Sequence, residues 1–394
     1  MNKLIVKNSK LKKASGEYNE LDILSGNLHE NNFESFDIIE CIGVFELKGN
    51  LRYLLKKIDS LIKVKGQLKI EYFHKPEEMY VGSKGFFRPF SFFMYEFSLA
   101  LGSRYKLLTK TVKGQLISLV FEKSNQTLIE GDSIEKWSFG IVSGGTKVPQ
   151  IKNIINQIRL LRIPYYEIII CGPLESSFCG SDLIQISDDL ITNDIRIPIT
   201  KKKNLIIRRA KYENLVIMHD RISFPLSWFS QIKIHGNYFE VLSMKIFNHD
   251  MNKRVQDWLY LKGDFNYFNK IESGIVNYDK WNPYLYIDGG FIVIKTSIIK
   301  EILYNENLHW GEAEDVDLAR RLYLNGNLFE VDVNNFVFTE TNRHNGVSIH
   351  SQSILKKIIL KSYFFKLWSK IIYYSRDYYE LKKFFAMFNN NNIN

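Results

Sequence analysis

The run Tyr166-Glu167-Ile168-Ile169-Ile170-Cys171-Gly172 constrains this chain most. A short, continuous apolar stretch closed by glycine reads as a strand buried on both faces of a sheet. Upstream, Trp137-Ser138-Phe139-Gly140-Ile141-Val142-Ser143 reads as a second such strand, ending in Gly144-Gly145-Thr146. Between them, over 148–161, Ile151, Ile154, Ile155, Ile158 and Leu161 recur at helical spacing. Strand, helix, strand is a βαβ unit, and its crossover is expected to be right-handed. Ligands in such sheets bind off the carboxyl ends of the strands. That places Ser143-Gly144-Gly145 and Cys171-Gly172-Pro173 at the prospective site of an α/β fold.

A chain of 394 residues is long for one core, and two domains plus a tail are expected. With 45% hydrophobic and 14% aromatic residues, folded domains are expected rather than disorder. Cys41, Cys171 and Cys179 form neither a disulfide framework nor a zinc spacing, which points to a reducing compartment. The opening Leu4-Ile5-Val6 run is too short for a secretory signal, and no window reaches the length of a spanning helix. A cytoplasmic protein is expected.

Residues 1–132 read as one unit. Phe36 to Glu46 is a buried strand running into a loop, Leu51 to Val64 a helix, Lys65-Gly66-Gln67 a turn, and Leu68 to Phe73 a strand. Tyr105 to Thr111 and Leu116 to Glu122, joined by Lys113-Gly114, read as a hairpin. This order resembles the second half of a class I S-adenosylmethionine-dependent methyltransferase. The cofactor-binding half has no counterpart: only isolated Gly16 and Gly26 precede Phe36, with no Gly-x-Gly. The expectation is a truncated, non-catalytic packing module.

Further along, Lys201-Lys202-Lys203-Asn204 precedes a short helix to Tyr212, and the strand Leu215 to Met218 ends in His219-Asp220-Arg221. Trp228, Phe229 and Ile232 read as apolar packing. Tyr238 to Phe247 is a strand region, followed by Arg254, Asp257 and Trp258. Asp288-Gly289-Gly290 turns into another strand. Then comes His309-Trp310-Gly311-Glu312-Ala313-Glu314-Asp315-Val316-Asp317, the acidic mouth of a helix whose Val316, Ala319, Leu322 and Tyr323 share a face. Carboxylates in a first turn are favoured by the helix dipole. Asp317 and Arg321 fit an i,i+4 ion pair, and Glu312 and Asp317 read as ordinary helix surface. Leu328 to Val333 and Phe336 to Glu340 are two late strands, closed by Asn342-Arg343-His344.

Taken in order, these pieces make residues 133–350 resemble a GT-A glycosyltransferase of the family 2-like kind, with Trp310-Gly311 and Glu314-Asp315 matching the stretch that carries the catalytic base in inverting members. The resemblance implies a Rossmann-like mixed sheet, a nucleotide-sugar donor, and transfer to a glycan or lipid-linked acceptor in surface polysaccharide synthesis. Asp315 is the implied base and Glu314 an acceptor-hydroxyl contact, or the two exchange roles. Ser143, Gly144, Gly145, Lys203, Asn204, His219, Asp220, Arg221, Gly289 and Gly290 are implied on the donor; Asp288, Trp310 and Gly311 are implied on the acceptor. Asp257-Trp258 is a further candidate, with Trp258 read as core.

A leaving diphosphate needs its charge met, commonly by a divalent cation on carboxylate oxygen. The family's Asp-x-Asp is incomplete here, because His219-Asp220-Arg221 carries one carboxylate. Either Mn2+ or Mg2+ binds at Asp220, with His219 or His344 as an extra ligand, or Arg221 and Lys203 meet the phosphates instead.

Residues 351–394 read as a basic helical tail. Between 353 and 394, eight basic residues against Asp377 and Glu380 carry +6 of the net +10, threaded through aromatic and aliphatic residues. Such a helix suits peripheral contact with the anionic inner face of a membrane, or else packs on the catalytic domain. No nucleic-acid-binding module is recognisable. The rival functions are a non-catalytic nucleotide-sugar-binding scaffold and, behind it, a methyltransferase.

Overall fold

The apolar runs form two large mixed sheets in a computed structural model, which describes residues 2–7, 18–19, 23, 34–45, 50–73, 90–124, 133–189, 191, 197–249, 254–255, 257–262, 272–278 and 284–339. The chain divides into two compact units, 1–259 with 275–342 and 260–274 with 343–394. Both sheets belong to the first. Gly16, Gly26, His344 and the basic segment 353–394 lie outside the described residues.

The first sheet contains β1 (Lys3–Lys7), β2 (Tyr18–Asn19), β3 (Phe36–Ile42), α1 (Leu51–Asp59), β4 (Ile62–Phe73), α2 (Phe90–Leu101), β5 (Tyr105–Lys113) and β6 (Leu116–Lys123). Its strand order is β2-β1-β3-β4-β6-β5, parallel from β2 to β4 and antiparallel at the hairpin. The hairpin lies where the sequence suggests. Two strands precede Phe36 that sequence reading does not supply: Leu4 and Val6 are buried on the sheet, although alone they form a very short apolar run.

Two expectations here are corrected. The helix from Leu51 stops at Asp59, not Val64. Ser60 ends it, its hydroxyl donating to Lys57 O at 2.8 Å, and the β-branched Ile62 and Val64 continue as strand. Lys65-Gly66 is not a turn between elements but an irregularity inside β4. Lys65 has φ 64°, and the register with β3 shifts between Phe36 and Ile38.

The second sheet follows: β7 (Lys136–Val142), α3 (Val148–Leu160), β8 (Tyr165–Cys171), β9 (Leu183–Ile186), α4 (Ile199–Arg209), β10 (Asn214–His219), β11 (Ile222–Ser223), α5 (Trp228–His235) and β12 (Val241–Asn248). After β13 (Trp258–Lys262) and β14 (Glu272–Ile275) come β15 (Leu285–Ile287), β16 (Phe291–Lys295), α6 (Thr296–Glu301), α7 (Glu314–Leu324) and β17 (Phe329–Thr339). The eight strands run β11-β17-β12-β16-β10-β7-β8-β9. From β9 to β10 neighbours are parallel; β16 is antiparallel to both β10 and β12. This is the mixed α/β sheet expected, and the βαβ unit β7-α3-β8 is its parallel half.

Here too the boundaries move. The lysines 201–203 and Asn204 lie within α4 rather than before it. The two late strands are one, β17, whose register with β12 jumps at Met244/Lys245. On α7 the buried face is Leu318, Ala319, Leu322 and Tyr323, with Val316 only half-buried, and Arg321 pairs with Asp317 at 2.7 Å as its spacing suggests.

Packing on the central strands leaves little slack. A Cβ on Gly140 of β7 would lie 2.2 Å from Ile206 Cγ2 of α4. Gly140→Ala is therefore expected to cost about 1–3 kcal/mol, read as a lower denaturant midpoint, because overpacking a dense core forces strain.

The two sheets meet through α1. Lys56 Nζ lies 2.6 Å from Glu240 Oε1, and Lys57 Nζ 2.7 Å from Glu330 Oε1, all four side chains being buried. Fully buried Asp59 accepts from Arg104 Nη1 and Tyr105 Oη at 2.6 Å, and also from Tyr238 Oη across the junction. Tyr53 Oη donates to Phe329 O at 3.1 Å. At the carboxyl end of α7, Asn50 Nδ2 donates to Tyr323 O and Arg52 Nη1 to Asn325 O. That end is closed by Gly326 at φ 84°, with Gly326 N to Tyr323 O and Asn327 N to Leu322 O both at 2.9 Å. The pair of bonds is a Schellman cap, which a left-handed glycine permits. A Cβ there would lie 2.5 Å from Arg52 Cβ.

Candidate functional site

The antiparallel strand builds the site. Parallel strands β7, β8 and β10 end at one edge of the sheet, and β16 begins there, since Met218 faces both Ile141 and Phe291 in register. The turn Asp288-Gly289-Gly290 therefore arrives beside Ser143-Gly144 and His219-Asp220-Arg221. His219 N donates to Gly290 O at 3.0 Å. Gly144 N donates to Asp220 Oδ2 at 3.4 Å, and Lys147 Nζ lies 3.3 Å from Asp220 Oδ1. Gly290 N donates to Asp288 Oδ2 at 3.1 Å, and a Cβ on Gly290 would lie 3.3 Å from Arg221 Nη2.

The mouth of α7 closes on the same turn. Ala313 has φ 61°, and no side chain caps the helix. Asp315 instead turns inward: its Oδ2 accepts from Gly289 N at 3.1 Å and its Oδ1 from Val316 N at 2.9 Å. Beside it a small recess, with room for about one water molecule, is lined by Asp288, Gly289, Ile292, Tyr304, Asp315 and Leu318, among others. Burial in this largely apolar pocket pushes the Asp315 carboxyl up to about 6, helped by Asp288 and Glu314 and opposed by Lys203 and the Gly289 N–H. Burial, with Asp315 and Asp288 adding to it, also raises the Tyr286 phenol, and burial with Glu314, Asp315 and Asp288 raises that of Tyr304.

α4 runs beneath and sends three consecutive side chains to three neighbours. Lys202 Nζ donates to Ser143 O at 2.8 Å and pairs with Asp188. Lys203 is fully buried, its Nζ 3.6 Å from Glu314 Oε1 and 4.6 Å from the Tyr304 ring centroid. Asn204 Nδ2 donates to Tyr304 O and its Oδ1 accepts from Tyr304 N, both at 2.9 Å.

The structure thus brings Gly144, His219, Asp220, Arg221, Asp288, Gly289, Gly290, Glu314, Asp315 and Lys203 to one edge. Ser143 and Gly145 support it: Ser143 Oγ accepts from Gly145 N at 2.9 Å, and Gly145 has φ 82°. Asn204 is occupied holding Tyr304. Trp310 is exposed, and Gly311, also exposed, has φ 82°. Asp257 is buried by Arg254, Tyr278 and backbone N–H groups, and Trp258 is core as expected. Sequence reading misses Lys147, whose only signal is a basic residue closing the Gly-Gly-Thr turn, and Tyr304, which carries none.

Asp220 gains no second carboxylate. Among the described residues no group of three His, Cys, Asp or Glu side chains is placed to hold a metal ion, and Lys147 pairs with Asp220. Of the two residues expected to hold a cation, Asp220 is paired with Lys147 and His344 lies outside the described residues. Among them, too, no helix is long and apolar enough to cross a membrane.

No protein-family model and no curated protein matches the chain. Among solved structures it is similar to S. aureus TarS 1-349, at 14% identity and a TM-score of 0.37 over 52% of this chain and 60% of that one. S. aureus TarS itself matches at the same identity and TM-score over 37% of its length. TarS 1-349 in complex with UDP-GlcNAc matches over 54% of this chain and 61% of that one. The chain thus spans less than two thirds of the length of these three solved chains.

Proposed function

We propose that this protein is an inverting glycosyltransferase that moves a sugar from a nucleotide-sugar donor to a hydroxyl of a glycan or lipid-linked acceptor. The observation that carries this reading is Asp315, a carboxylate with its proton affinity near neutrality, fixed by Gly289 N–H at the mouth of a recess. A base matched to working pH and placed at a cavity is what hydroxyl activation needs.

In the proposed step the acceptor oxygen loses its proton to Asp315 as it bonds to the anomeric carbon. The anomeric C–O bond to phosphate breaks, and its electron pair leaves with the nucleoside diphosphate. Lys147 and Arg221, at the Gly144 and Gly290 turns, are the cations placed to meet that charge. No step is routed through a metal ion. Residues 133–350 are proposed as the transferase domain, 1–132 as the packing module and 351–394 as a membrane-surface contact.

A thermal-shift series with UDP- and GDP-sugars, with and without manganese, tests the reading. Ligand that binds only the native state raises the melting temperature, by RT ln(1 + [L]/Kd) in stability. A rise with at least one donor, lost in Lys147→Ala/Arg221→Ala, is the expected result. No rise with any donor, together with no donor turnover, would overturn it. A rise without turnover, unchanged by Asp315→Asn, would favour a nucleotide-sugar-binding scaffold.

A further inference from the structure

Lys203 stands in an unusual position for a cation. Its side chain is fully buried in the second sheet's core edge, and among the described residues no acceptor lies within ordinary hydrogen-bonding distance of Nζ. Removing an ammonium from water without hydrogen bonds is costly, so a nearby charge must offset it. The nearest is Glu314 Oε1 at 3.6 Å. A Cβ on Gly289 would lie 3.1 Å from Lys203 Nζ, 3.2 Å from Asp315 Cβ and 3.4 Å from Glu314 Oε1, so the lysine and both acids converge on one backbone atom.

We propose that Lys203 is a positioning residue: its buried ammonium is the shared counter-charge of Glu314 and Asp315, holding the pair together, and it does not touch the donor. This rests on the reading of Asp315 as the base, and it gives Lys203 a task other than the phosphate contact expected from sequence.

The groups facing the pair are few. Asp288 comes from the turn after β15, Tyr286 from β15, Tyr304 from the loop after α6, and Lys203 from α4; Arg321 bears on Tyr304 from α7. Among the described residues these three carboxylates thus face the Lys203 ammonium, and Arg221 lies near Asp288 at the Gly290 turn. Burial lowers the Lys203 proton affinity, and Glu314, Asp315 and Asp288 raise it again, in that order. The charge acts through its field rather than through a fixed hydrogen bond. A lysine methylene stem alone would fill the same space without moving either acid, which is the alternative the experiment must separate.

The test is carboxyl carbon NMR on the full chain without donor, with Asp315 assigned by loss of its signal in Asp315→Asn. In Lys203→Met, with folding checked by circular dichroism, the Asp315 midpoint is expected to rise by about one pH unit or more, and Lys203→Arg to restore most of it. Donor affinity by thermal shift is expected to stay within about two-fold in Lys203→Met. An unmoved midpoint in folded Lys203→Met, or a larger loss of donor affinity, overturns the proposal. If that variant does not fold, labelled lysine in the wild type decides. A charged Lys203 whose signal steps as Asp315 titrates supports the proposal, whereas a neutral amine, or a signal silent across that range, overturns it. These titrations need no turnover, so absence of transferase activity sinks the functional reading without deciding this one.

Discussion

Asp315→Asn is expected to lower transfer by about 10²–10⁴-fold, the usual contribution of a positioned base, while the donor-induced rise in melting temperature persists. The wild-type rate should climb through pH about 6 as the carboxyl ionises, and the variant's residual rate should lack that step. Stability should respond in the opposite sense. Burial raises this carboxyl above its ordinary value of 3.8, so between 3.8 and about 6 the native chain holds a proton that the unfolded chain has released. Its contribution to stability is full below 3.8 and is lost as the pH rises through about 6. Asp315→Asn removes that loss. The melting temperature of the variant relative to wild type should therefore be more favourable at pH 7 than at pH 4. A rate that falls less than about ten-fold would remove Asp315 from the base role.

The second large effect lies away from the site. Lys57→Met leaves the Glu330 carboxylate buried without its cation, and such a cut costs about 3–5 kcal/mol. A drop of that size in unfolding free energy is expected from denaturant titration. Removing both charges, in Lys57→Met/Glu330→Leu, should recover most of it, because an apolar pair of similar volume needs no desolvation of ions. If the double variant is as unstable as the single, the penalty is lost packing rather than a stranded charge.

The parallel half of the second sheet was legible because burial on both faces leaves no alternation, only runs such as Ile168-Ile169-Ile170 bounded by glycine. The hairpin at Gly114 and the acidic mouth of α7 were legible for similar local reasons. What escaped was set by partners distant in sequence. Lys201-Lys202-Lys203 looks like a solvated charge run, yet Lys202 and Lys203 are buried because Asp188 and Glu314 lie opposite. Asn204 carries the right chemistry for a ligand, but Tyr304 occupies both ends of its amide. Lys56, Lys57 and Asp59 give α1 a polar look that is satisfied by Glu240, Glu330, Arg104, Tyr105 and Tyr238. Pattern reports which face is apolar, not which charges will meet.

The grip of α1 on the far end of α7 limits how this protein can be dissected. A fragment beginning at residue 133 would strip Glu240 and Glu330 of their lysines, and would take from the Tyr323 and Asn325 carbonyls the bonds that Asn50 and Arg52 donate. The helix carrying Glu314 and Asp315 would then lose the bonds that tie its carboxyl end to the first sheet's helix. The first sheet, whether or not it has chemistry of its own, is not a removable accessory. Grafting either sheet onto another protein would require carrying its half of this junction along, or redesigning it as an apolar seam.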